Sequence, residues 1–299
     1  MRRRVCLSIL LIAAFLFSAC GPVTYSSHRT AASYKIGVVV KAINSPYWLD
    51  LQNGMTQAAE DFDVDLKFLY PSGERETEEQ SKIIDNLLDS DVDALLVSPC
   101  DCTNTKWMLE KAQEKGILLL NVDDHAVDID VPYIGSNHFK MGIDAAEYFS
   151  KLLPKGGNIC MLLGPSNQMS TQERSMGIRN YLEKPLVVGE VVFTSMNQKS
   201  AYDAIMESEE KIDGVFCHNV VLAQGAILAL EKRGWDAKVI AVDTEDDGKL
   251  VMKRGKVDAI IMQDGYAIGY EAIKAAVNGL TTGEPVDDIK FDSQLLKNE

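Results

Sequence analysis

Residues 35–48 read K-I-G-V-V-V-K-A-I-N-S-P-Y-W. Ile36 to Val40 is an unbroken apolar run rich in β-branched residues, the pattern of a strand buried on both faces of a parallel sheet. Lys41 ends the run, and Asn44-Ser45-Pro46 supplies turn chemistry. Ser45 suits an N-cap and Pro46 the first turn of a helix. Trp48, Leu51, Met55 and Ala58 then recur at helical spacing. The stretch therefore predicts a strand, a short loop and a helix. In open α/β sheets the loop at the carboxyl end of such a strand is where ligands bind. This one carries a cation (Lys41), a small polar group (Ser45) and adjacent aromatics (Tyr47, Trp48).

The same alternation continues to the C-terminus. Strands are expected at 64–70, 94–98, 117–122 and 131–135, with helices at 74–89 and 105–115. The pattern then restarts, with helices at 142–153, 174–182, 199–210, 223–233, 249–254 and 268–278. Strands at 158–163, 190–194, 214–218, 239–242 and 259–262 lie between them, and an extended tail follows. Strands alternating with helices imply parallel βαβ units with right-handed crossovers. The reading is an α/β protein of two Rossmann-like lobes with no polar linker between them. Strand after strand ends in a hydrogen-bonding residue: Lys41, Asp123, Asn219, Asp243, Gln263. If the lobes face each other by those edges, the side chains converge on one wet cleft suited to a polyhydroxylated small molecule.

Composition excludes some classes. The formal charge of −14 on 299 residues argues against nucleic acid or anionic lipid headgroups as direct partners. Residues 1–19 read as an export signal, with Arg2-Arg3-Arg4 ahead of an apolar run from Val5 to Phe17 that is short for a transmembrane helix. Leu16-Phe17-Ser18-Ala19-Cys20 resembles a bacterial lipobox, which makes Cys20 the lipidated first residue of the mature chain; plain cleavage after Ala19 is the alternative. Residues 20–34 read as a polar tether. Cys160 and Cys217 sit in apolar strand-like runs, and Cys100 and Cys102 are too close for an easy bridge, so free thiols are expected. The acidic loop of Asp123, Asp124, Asp128 and Asp130 is read as solvated rather than metal-binding.

At this point the residues resemble a family: the periplasmic sugar-binding proteins of the ribose type, bilobed (type I) solute receptors. The resemblance covers residues from about 34 to 299. V-V-K-A-I-N-S-P-Y-W-L-D-L-Q-N-G is similar to the family's opening strand, loop and helix, and A-L-L-V-S-P to its third strand. N-V-D-D and I-G-S-N-H-F-K-M-G resemble the approach to the interlobe crossing. E-R-S-M-G-I, V-F-C-H-N, V-I-A-V-D-T and G-K-V-D-A-I-I-M-Q place Arg174, Asn219, Asp243 and Gln263 on the family's binding Arg, Asn, Asp and Gln. Lys41 with Asp123-Asp124 looks more like the D-allose-binding branch than the ribose branch. Ser45 stands where Asn is frequent, and Met196 stands about where an aromatic usually stacks on the sugar.

The resemblance implies hinge-linked lobes of residues 35–137 plus 264–292 and 138–263 plus 293–299. It implies a ligand set of Lys41, Ser45, Tyr47, Trp48, Asp123, Asp124, Arg174, Met196, Asn219, Asp243 and Gln263, and a neutral hexose of the allose type, or a ribose-like sugar, as ligand. It further implies no catalytic residue, cofactor or metal, a monomer outside the cytoplasm, and an ABC importer permease as partner. A chemoreceptor or sensor kinase is the alternative partner.

Bland readings stand beside these. Tyr47 and Trp48 also fit as core aromatics, Asp243 as a helix cap, and Arg174 and Lys41 as surface charges; His138 and His218 read as structural. A glycosidase using paired carboxylates has no motif behind it. A transcription regulator of this fold would need a helix-turn-helix where the export signal stands.

Overall fold

The computed structural model describes residues 33–243, 249–250, 252–253 and 256–298. The export signal, Cys20 and most of the expected tether lie outside them, as does part of the helix expected at 249–254. The opening run forms β1 (Lys35–Val39), with Ile36, Val38 and Val39 fully buried. It pairs in parallel with β2 (Asp65–Leu69) and β3 (Ala94–Val97). β4 (Leu118–Val122), β5 (Tyr133–Ser136) and β11 (Ile289–Phe291) extend this sheet in the order β11-β5-β4-β3-β1-β2, all parallel. The second sheet comprises β6 (Gly157–Leu163), β7 (Leu186–Phe193), β8 (Gly214–Cys217), β9 (Lys238–Asp243), β10 (Ala259–Met262) and β12 (Gln294–Lys297). Its order is β12-β10-β9-β8-β6-β7, and β12 alone runs antiparallel.

Helices cover both faces of each sheet, as parallel strands require. On the first sheet α1 (Pro46–Asp61) and α8 (Gly265–Thr282) pack on one face, while α2 (Thr77–Leu88) and α3 (Lys106–Glu114) pack on the other. On the second, α4 (His138–Leu152) and α5 (Met169–Tyr181) lie opposite α6 (Gln198–Glu207) and α7 (Val220–Arg233). Trp48, Leu51, Met55 and Ala58 form the buried stripe of α1 that the spacing predicted. Emptying one such site, as in Leu51→Ala, removes about 2–5 kcal/mol. Gly54 lets α1 approach α8: any Cβ there would collide with the Tyr266 carbonyl oxygen. Gly142 and Gly177 do the same for α4 and α5.

Among the element boundaries that differ from the sequence reading, three have a clear physical reason. α4 begins at His138 and α5 at Met169, each earlier than the apolar periodicity shows. Polar residues of their first turns are buried, with His138, Ser170 and Thr171 almost fully enclosed. β7 begins at Leu186, and its alternating burial belongs to a sheet edge. The tail, expected only as extended chain, supplies a strand to each sheet. The described residues from Tyr34 onward form one compact unit. Cys100, Cys102, Cys160 and Cys217 are buried and unbridged.

Candidate functional site

Carboxyl ends of strands from both sheets meet at one cleft enclosing about 410 Å³ of space, part of it continuous with solvent. From the first lobe it is lined by Lys41, Ser45, Tyr47, Trp48, Glu74 and Asp123. The second contributes Ser170, Arg174, Met196, His218, Asn219, Asp243 and Gln263. The strand-end residues read from the sequence are thus brought together. Asp124 is not: it is fully enclosed behind the cleft wall.

Asp124 is held by a network. Its Oδ2 accepts from Lys41 Nζ and from Ser170 Oγ, both at 2.8 Å. Its Oδ1 accepts from the backbone N–H of Ser170 at 3.1 Å and of His125 at 2.9 Å. Burial opposes its charge, but Lys41 and these donors prevail, and its pKa falls to about 2. Burial likewise opposes the charge on Lys41, yet Asp124 and Asp123 outweigh it and the pKa rises. Lys41 Nζ also reaches Asp123 at 3.4 Å, Gln168 Oε1 at 3.3 Å and Ser170 Oγ at 3.4 Å. Lys41 is therefore a pinned wall group rather than a loose cation.

Arg174 projects from α5 with its guanidinium similarly anchored. Nη1 donates to the His218 carbonyl at 3.1 Å, and Nη2 donates to Gln263 Oε1 at 3.0 Å and His138 Nδ1 at 3.1 Å. Because guanidinium has only donors, His138 Nδ1 must accept, so Nε2 carries the proton and donates to the Asp123 carbonyl at 2.7 Å. Burial and the Arg174 charge lower the His138 pKa to about 4. His138 is thus a neutral spacer between Arg174 and the chain end of β4.

Asn219 and Asp243 serve the helix behind them as well as the cleft. Asn219 Oδ1 caps α7 by accepting from the N–H of Leu222 at 3.0 Å, and Asp243 Oδ2 accepts from the N–H of Val220 at 3.1 Å. The cap role and the cleft position coexist in both residues. Ser45, expected to cap α1 with its side chain, occupies the N-cap position without a side-chain hydrogen bond and lines the cleft instead.

Tyr47 and Trp48 stand edge to face, 5.2 Å apart, and Lys41 Nζ sits 5.9 Å from the Trp48 ring centre. Met196 lies across the cleft. It and Asp123 both adopt left-handed backbone angles, φ 57° and 63°. Such conformations are costly for side-chain-bearing residues and concentrate at binding sites. Tyr47 Oη, Arg174 Nε and His218 Nδ1 are buried and have no partner of hydrogen-bonding geometry among the described residues. Buried polar atoms are usually hydrogen-bonded, so these three, on residues that line the cleft, are available to a bound polar group.

Glu74, Ser170 and His218 line the cleft without having been singled out as ligands from the sequence. The strand-end rule reaches two of them. His218 directly follows β8, and Glu74 lies in the loop after β2, because α2 begins at Thr77 rather than at the expected position 74. Ser170 has no such signal; it arrives through the hidden first turn of α5.

One rim of the cleft is closed by bonds between lobes. Besides the Lys41 and Asp124 contacts to α5, the Asn167 carbonyl accepts from the N–H of Cys102 at 3.0 Å, and Asn167 Nδ2 donates to Asp101 at 2.9 Å. Gln168 Nε2 donates to the Glu74 carbonyl at 3.3 Å, and Arg75 Nη2 to the Thr194 carbonyl at 2.6 Å. Among the described residues no group of His, Cys, Asp or Glu is placed to hold a metal, and no helix is long and apolar enough to cross a membrane.

Comparison with known proteins agrees with this geometry. The ribose import binding protein of Bacillus subtilis (strain 168) is 27% identical over 277 residues, covering 90% of each chain. The D-allose-binding periplasmic protein of Escherichia coli (strain K12) is 22% identical over 278 residues, covering 87% of this chain and 88% of that one. Among solved structures, the Caulobacter myo-inositol binding protein bound to myo-inositol superposes with a TM-score of 0.82 at 18% identity, over 88% of this chain and 93% of that one. The family model described as periplasmic binding protein domain matches residues 36–285. With two parallel-stranded lobes and a polar cleft between their strand ends, the chain belongs to the periplasmic binding protein domain family.

Proposed function

We propose that this protein is an extracytoplasmic, lipid-anchored receptor that captures a monosaccharide between its lobes and delivers it to an ABC importer. The observation that carries the reading is the cleft itself. Arg174 Nε, buried and without a partner among the described residues, is an open donor, Asp123 and Asp243 supply acceptors, and all three residues line the cleft together with Tyr47 and Trp48. Hydroxyls both donate and accept, so opposed sets of this kind match a polyol ring, and aromatic faces suit its C–H surface. The ligands named for similar proteins, ribose, allose and myo-inositol, are all of this class. The ligand set is the one expected from the sequence, with Asp124 acting through Lys41 and Ser170 rather than by contact.

A thermal-shift panel followed by calorimetry with ribose, allose, galactose and myo-inositol tests the reading, because a ligand that binds only the folded state raises the melting temperature. Binding of at least one is expected. Tight binding of an amino acid or a sugar phosphate, with none of these polyols bound, would overturn it. Small-angle scattering should show a smaller radius with saturating ligand, since a ligand touching both lobes favours closure. The anchor is tested at Cys20: Cys20→Ala should leave the protein unprocessed or release it from membranes, and unchanged membrane attachment would refute lipidation.

A further inference from the structure

Glu74 changes the chemistry of the cleft. It is buried, 7% exposed, and lines the space between the lobes. Its Oε1 accepts one long bond, 3.4 Å from Trp48 Nε1, and its other neighbour is the neutral Asn44 side chain. No Lys, Arg or His forms an ion pair with it among the described residues; Lys41 is committed to Asp124, Asp123, Gln168 and Ser170. Arg174 is likewise occupied by His218, His138 and Gln263. The loop that carries Glu74 is fixed against the other lobe through Gln168 and Arg75, which holds the Glu74 backbone at the cleft. Burial raises its pKa, and the nearby charge of Lys41, spent on its own partners, offsets this only in part.

A buried carboxylate without an ion-pair partner is costly. A ligand hydroxyl would donate a hydrogen bond to it but leave its charge uncompensated. An ammonium group supplies both. We infer that Glu74 is a specificity-determining residue, and that it selects a polyol bearing a protonated amine over the neutral polyol of the same ring. This rests on the polyol reading above and refines its ligand class. The sequence alone points to a neutral sugar because it places Glu74 in a helix, away from the cleft.

The test is calorimetry on the wild type and Glu74→Gln at a pH below the amine's own pKa. The pairs are 2-amino-2-deoxy-D-allose against D-allose and 1-amino-1-deoxy-scyllo-inositol against scyllo-inositol, with D-ribose as a neutral control. The inositol pair is informative because every ring position of scyllo-inositol is equivalent, so the amine can be presented to Glu74 without disturbing the other contacts. In at least one pair the amine should bind roughly 10- to 100-fold more tightly in the wild type, as expected of a charge-assisted bond at a desolvated site. That ratio should fall to about threefold or less in Glu74→Gln. Neutral members binding as well as or better than amines in both pairs would overturn the inference while leaving the polyol receptor intact. An amine preference that survives in folded Glu74→Gln would overturn the role of Glu74. No binding of any polyol, neutral or amine, would remove the receptor reading itself. Should Glu74→Gln fail to fold, the wild-type ratio alone still decides the ligand class, and Glu74→Asp, which keeps the charge but withdraws it, decides the residue.

Discussion

Asp124→Asn isolates the group that ties the cleft wall together. The substitution keeps the volume but removes the charge facing Lys41 Nζ at 2.8 Å, at a position with no solvent exposure. The folded-state pKa of about 2, against the ordinary aspartate value of 3.8, corresponds to about 2 kcal/mol of stability. Removing one member of a buried pair costs about 3–5 kcal/mol when the other is stranded. Here Asp123 remains 3.4 Å from Lys41, which softens the loss. Asp124→Asn should therefore lower stability by about 2–4 kcal/mol near neutral pH. The depressed pKa sets the sign of the pH dependence. The carboxylate's contribution is present above the unfolded value of 3.8 and lost as pH falls through about 2, so wild type and variant should converge in acid. Urea unfolding at stepped pH measures this. A cycle with Lys41→Met should return a coupling of at least about 1 kcal/mol, since the residues touch. A variant within about 0.5 kcal/mol of wild type at neutral pH, or a gap that widens in acid, would refute the reasoning.

Three other outcomes follow from the geometry. His138, held neutral with a pKa of about 4 against 6.5, contributes stability present above 6.5 and lost as pH falls through about 4; His138→Gln should flatten that slope in pH-stepped urea midpoints, and an unchanged slope would exclude His138 as its source. Asp243→Ala should weaken binding of the best polyol by roughly 30- to 1000-fold in calorimetry. It should also speed amide exchange at the first turn of α7, where Val220 loses its acceptor; intact affinity would remove Asp243 from the ligand set. Gly54→Ala should cost about 1–3 kcal/mol by thermal melting, because the new Cβ meets rigid backbone at Tyr266 rather than a yielding side chain; a neutral result would mean that α1 and α8 separate freely.

Much of the architecture is legible in the chain order. Runs such as Ile36–Val40 and Ala94–Val97 are buried on both faces, so their apolar continuity reports parallel strands directly. Lys41, Asp123, Asn219, Asp243 and Gln263 could be placed at the cleft because each sits at or just past the end of a strand, and strand direction fixes which edge that is. The tertiary structure alone decided what those groups do there. Asp124 and Asp123 are adjacent in sequence, yet one lines the cleft and the other turns away to Lys41 and Ser170. Glu74 and Ser170 enter the cleft from loop and helix turns whose polar composition reads as solvated surface until the opposite lobe covers them. The reason is physical. Periodicity reports a side chain's direction relative to its own element, whereas burial, ion pairing and pKa depend on partners such as Gln168, 127 residues from Lys41 along the chain.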